Sequence, residues 1–109
     1  MSSYTLKLEL LDKLDYLTKN NNIYIDNINY NKIVRLGFLL IDVYLEEHSS
    51  KVFPNMLYLI KYIVVFLGID LDEQLFKLGD QELKNNIAID DIFHSAINKN
   101  RLTHIISKL

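Results

Sequence analysis

Three residues near the C-terminus have the types and spacing to hold a metal ion. Asp91 and His94 stand three apart, and Asp90 lies four before His94. A carboxylate and an imidazole at i, i+3 share a helical face, the unit that di-metal bundles repeat on two helices. A complete centre needs a second such unit with further carboxylates. Asp42 and Glu46 share a face, and Glu47 and His48 follow, but a second carboxylate-x-x-His unit is missing. Asp90 and Asp91 also suit a helix N-terminus, where an acidic side chain meets the positive end of the dipole. The expectation is therefore no metal and no cofactor.

Nucleophilic chemistry fares no better. His48, His94 and His104 are candidate bases, and Ser49, Ser50, Ser95 and Ser107 carry hydroxyls. None of these serines sits in the sharp strand-to-helix elbow that exposes a catalytic hydroxyl. Gly37, Gly68 and Gly79 are isolated, so there is no glycine-rich phosphate cradle. The chain has no cysteine, which excludes disulfides, thiol nucleophiles and zinc fingers. That is compatible with a reducing compartment, and a cytoplasmic, non-enzymatic protein is the expectation.

One segment resembles a helix-turn-helix in outline. Leu75 to Asn86 reads as two short helices meeting at Gly79, with Gln81, Lys84 and Asn85 placed to face a groove. The leucine-to-glycine spacing is one residue short, and Phe76 occupies the usual place of a small residue. Asp70, Asp72, Glu73, Asp90 and Asp91 flank the segment and repel phosphate. Net charge is −2, and Arg35 and Arg101 are the only arginines. Lysine and arginine would have to gather on one face to bind a polyanion. DNA binding is thus the alternative reading, behind protein–protein interaction.

The elements that position these residues follow from apolar spacing. Leu6, Leu10, Leu14 and Leu17 recur at helical intervals with Leu11 beside them, which predicts a helix over about 3–18. Tyr4, Leu6, Leu8 and Leu10 also alternate as in a strand, but the alternation stops while the helical pattern runs on to Leu17. Lys19-Asn-Asn-Asn22 stops the helix. A loop then tucks Ile23, Ile25 and Ile28 against the core. A second helix starts near Asn29 or Asn31, either one a good cap, and runs to Glu47. A third begins near Pro54 and ends at Gly68. Asp70-Leu-Asp-Glu73 outlines a capping box for a short helix to Gly79, and Asp80 caps another to about Asn86.

The second and third helices are apolar on nearly every face. Only Arg35 and Asp42 carry charge in the apolar run 33–45, and only Lys61 in the run 56–69. Both runs fall short of the 18 or more residues of a membrane span, so they read as central helices surrounded by others. No basic region followed by an apolar run marks the N-terminus as a signal peptide.

The segment from Ile89 onward carries two stripes. Ile89, Ile92, Phe93, Ala96 and Ile97 form one, and Leu102, Ile105, Ile106 and Leu109 the other. At about 100° per residue their centres lie roughly 160° apart, so one straight helix cannot bury both against one surface. Either the helix breaks at Asn98-Lys-Asn-Arg101 or its last turns face a partner. Half of the 109 residues are hydrophobic, and Ala88 and Ala96 are the only alanines, which leaves bulky apolar surface to spare. Heavy use of Ile, Asn, Lys and Tyr fits an A+T-rich coding origin, viral or phage sources included.

Together these features predict an all-α fold, one domain over 1–109, with five or six helices around two apolar central ones. The function predicted is an interaction or regulatory module, an inhibitor or adaptor, that pairs as a homodimer, binds a host protein, or does both. Leu102, Ile105, Ile106 and Leu109 form the expected interface.

Overall fold

A computed structural model describes residues 2–20, 23–47, 53 and 55–71. Among them are three helices and no strand: α1 (Ser3–Asn20), α2 (Asn27–Glu47) and α3 (Met56–Leu67). The helices expected around 71–86 and from Ile89 onward lie outside the described residues.

Each N-terminus is closed by a short polar side chain that accepts from the backbone three residues on. Ser2 Oγ accepts from the Thr5 N–H (3.1 Å), Asp26 Oδ1 from Asn29 (2.8 Å) and Asn55 Oδ1 from Tyr58 (3.1 Å). These bonds satisfy donors that a helix start otherwise leaves open. They also correct two expected boundaries. Asp26, rather than Asn29 or Asn31, caps α2, so that helix begins earlier and takes in Ile28. Asn55 caps α3, so that helix starts at Met56, just after the expected Pro54. The early start turns Ile28 outward, 70% exposed, whereas Ile23 is buried and Ile25 half-buried as expected.

At the far end of α3 the chain leaves through Gly68, in the left-handed region at φ 68°. Its N–H donates to the Val65 carbonyl and that of Ile69 to Val64, each at 3.1 Å. This paired closure occupies two open carbonyls and favours a residue without Cβ. α1 runs to Asn20, past the predicted stop, with Thr18 Oγ1 donating back to the Leu14 carbonyl at 3.1 Å.

α1 and α2 lie antiparallel, with Lys7 beside Asp42 and Leu10 beside Gly37. α3 packs on both. The leucines predicted for one face of α1, namely Leu6, Leu10, Leu14 and Leu17, are fully buried. They meet Ile33, Leu36, Leu40 and Ile41 of α2 and Leu59, Ile60, Ile63 and Val64 of α3 in one core. Full burial of each such side chain contributes about 1.5–3 kcal/mol. Tyr44 is buried with them, its ring edge-on to Phe53 at 5.0 Å.

Gly37 is where the hairpin closes most tightly. A Cβ added there would come within 2.5 Å of a Leu10 terminal methyl group. Gly37→Ala should therefore lower stability by about 1 kcal/mol, because overpacking costs of about 1–3 kcal/mol outweigh the helix-propensity gain of about 1 kcal/mol. In a Leu10→Ala background the clash is gone and the same substitution should stabilise. Urea unfolding of the double-mutant cycle reads this coupling. Equal effects of Gly37→Ala in both backgrounds would refute the close approach.

Candidate functional site

The polar feature that best joins two helices is centred on Asp42. Lys7 Nζ stands 3.0 Å from Oδ1 and 3.1 Å from Oδ2 of that carboxylate, and Ser3 Oγ donates to Oδ1 at 2.7 Å. The lysine ammonium also lies 5.4 Å from the Phe38 ring centroid, within cation–π range. Ser3 and Lys7 are i, i+4 on α1, so one helical face delivers both to a residue far along the chain. Asp42 interrupts the apolar run of α2 with a fixed partner. Its side chain stays 47% exposed while it holds the α1 ammonium and hydroxyl against α2. Among the described residues no group of three or more His, Asp or Glu side chains converges.

Two phenols are held away from ionisation. Burial raises the pKa of Tyr44, and burial followed by the neighbouring Asp15 charge raises that of Tyr30. Both stay neutral at physiological pH and offer no phenolate for catalysis.

Apolar surface is the other conspicuous feature. On α1, Tyr4 is 73% exposed, Leu8 45% exposed, and Leu11 half-buried. Their i, i+4, i+7 spacing makes a second stripe on the side of the helix away from the buried leucines. The strand-like alternation of Tyr4, Leu6, Leu8 and Leu10 is thus a helix with two apolar faces. At the α1–α2 corner, Thr18, Ile23, Tyr24 and Ile25 line an open depression of about 320 Å³, beside exposed Ile28. On α3, Tyr58, Lys61, Tyr62, Val65 and Phe66 line another of about 300 Å³. Its two tyrosine rings lie 6.2 Å apart.

Of the candidate ligand residues singled out from sequence, the described part contains Asp42, Glu46 and Glu47, all on α2. The interface residues Leu102, Ile105, Ile106 and Leu109 lie outside it. So do the groove-facing Gln81, Lys84 and Asn85, and Asp90, Asp91 and the three histidines. Among the described residues no helix is long and apolar enough to cross a membrane. The role of Lys7 and the outer α1 stripe escaped the sequence reading; the i, i+4 pair Ser3–Lys7 and the Tyr4–Leu8–Leu11 spacing were the available signals. Comparison with family models, with curated proteins and with solved structures finds no match to this chain.

Two outcomes follow. Asp42→Ala should cost about 1 kcal/mol, the scale of a partly exposed ion pair with an added hydrogen bond. That deficit should shrink in high salt; a cost that ignores salt would contradict the ion-pair role. Tyr30 and Tyr44 hold their protons more tightly folded than unfolded. Their stabilising contribution is complete below the unfolded value of 10.0 and is lost as pH rises through their higher folded values. Ultraviolet difference titration of the folded chain should show phenols ionising later than in urea. Coincident folded and unfolded curves would contradict this.

Proposed function

We infer that this protein is a non-enzymatic protein–protein interaction module that pairs with a second copy of itself. The observation that carries the reading is the outer stripe of α1. A helix that buries one leucine stripe completely needs no second apolar face for its own fold. Tyr4, Leu8 and Leu11 nevertheless continue for two turns at the spacing by which one helix seats against another. Two copies meeting through this stripe across a two-fold axis would bury it symmetrically. The tyrosine supplies a rigid ring with a polar tip, a combination enriched at interfaces.

The C-terminal stripe of Leu102, Ile105, Ile106 and Leu109 extends the same logic, since it cannot share a surface with the Ile89–Ile97 stripe on a straight helix. A module with two such surfaces can act as an adaptor or inhibitor, one surface serving the second copy and the other a host protein. The argument rests on apolar surface and charge alone, because fold by itself does not assign function.

Light scattering of the full chain at micromolar concentration tests the pairing. The expected result is a particle of twice the 12.8 kDa chain mass, reduced to a single chain by Leu8→Glu and unaffected by Asn31→Ser on the exposed side of α2. A wild-type chain that stays monomeric throughout would contradict the reading.

A further inference from the structure

The outer stripe of α1 carries a charge at its far end. At about 100° per residue, Asp15 lies about 20° from both Tyr4 and Leu8, inside the stripe. Its side chain is 58% exposed, and its ion pair with Lys19 is long, at 3.9 Å. The carboxylate is felt across the helix corner, where its charge helps to hold the proton on Tyr30. Thr18, one heptad past Leu11, keeps to nearly the same face. It lines the open corner depression together with Ile23, Tyr24 and Ile25. The surface therefore has a tyrosine at one end, two leucines in the middle, and an acid beside a depression at the other.

We propose that two copies of the chain pair antiparallel through α1, each Tyr4 hydroxyl donating to the partner's Asp15. The proposal rests on the pairing inferred above and adds its direction and its polar contact.

Charge decides the direction. A parallel two-fold pair sets every residue of the stripe against itself. Asp15 would then face the partner's Asp15 on the seam, and two carboxylates sharing one site resist joint ionisation. Reversing one helix about a centre near Leu8 and Leu11 keeps the leucines together and moves the acids to opposite ends. Tyr4 then lies over the partner's Leu11, with its hydroxyl about one turn further on, at the partner's Asp15. A phenol donating to a carboxylate makes a charge-assisted bond, roughly twice as strong as a neutral one. Both groups are exposed enough to meet, Tyr4 at 73%.

Two further features favour the same direction. Antiparallel helices set dipole ends of opposite sign side by side. The first turn of each copy also covers the partner's corner depression. That cover adds area which three side chains alone do not supply, since a specific interface should clear about 1,000 Å².

Distances between nitroxide labels on single cysteines read the direction, because the chain has no cysteine of its own. Glu9→Cys sits near the centre of the pair and Asn20→Cys at the end of α1, both well off the stripe. In the antiparallel pair the two labels at position 20 are offset along the helices by about 30 Å, at 1.5 Å per residue. Those at position 9 are hardly offset, so position 20 should give the clearly longer distance. A parallel pair gives similar distances at both positions. Similar distances in a chain that light scattering shows to be dimeric overturn the direction and leave the pairing. A monomeric chain with no distance between copies overturns both.

Asp15→Asn tests the contact in the unlabelled chain. It should raise the dimer dissociation constant about tenfold, because two charge-assisted bonds become neutral ones. Tyr4→Phe should act in the same direction, and the double variant should lose less than the sum of the two. In a parallel pair Asp15→Asn relieves repulsion and tightens the dimer. A dimer that is tighter or unchanged with Asp15→Asn overturns the Tyr4–Asp15 contact.

Discussion

The close approach of Leu10 to Gly37 is the constraint on which the rest of this structure depends. It brings α1 and α2 near enough for the four inward leucines of α1 to be fully buried, and α3 then closes on both helices. The same approach sets the register that carries Ser3 and Lys7 to Asp42. A larger residue at position 37 would force the Leu10 side chain to shift and so disturb the leucine layer. The polar contact is modest in energy beside the burial of Leu6, Leu10, Leu14 and Leu17, and that burial fixes which face of α1 turns inward. Whatever lies on the opposite face is then committed to solvent or to a partner.

That commitment gives the outer side of α1 its meaning. Tyr4, Leu8 and Leu11 cannot rotate into the core without expelling Leu6 and Leu10, each of which would cost about 2–5 kcal/mol to lose. The domain therefore carries its surplus apolar surface at defined places: outside α1, at the corner beside Ile28, and outside α3. Reactive groups show no comparable concentration among the described residues. Asp42 is neutralised by Lys7, and the Tyr30 and Tyr44 phenols hold their protons.

Much of the fold was legible in the order of residues because the leucine spacing of α1 and the apolar runs of α2 and α3 are strong helical signals. Gly68 also marked its helix end correctly, since the left-handed closure there favours one residue type. The starts were harder. Asp26, Asn27, Asn29 and Asn31 are all acceptable caps, and the bond from the Asn29 N–H to the Asp26 carboxylate selects among them. That selection turned Ile28 outward against expectation. The Lys7–Asp42 pair was hidden for another reason: its partners are 35 residues apart, and nothing local in either helix names the other. The outer stripe of α1 was visible as alternation but open to two interpretations until the helix was in place.

The most direct test of the central claim, that the outer face of α1 is a surface for a second copy, is isotope-filtered nuclear Overhauser spectroscopy on a mixture of labelled and unlabelled chains. The account predicts contacts between chains from the Leu8 and Leu11 methyls to the Tyr4 ring, and none between chains from the buried Leu10 and Leu14. Intermolecular contacts that bypass Tyr4, Leu8 and Leu11, or no such contacts at millimolar concentration, would contradict it.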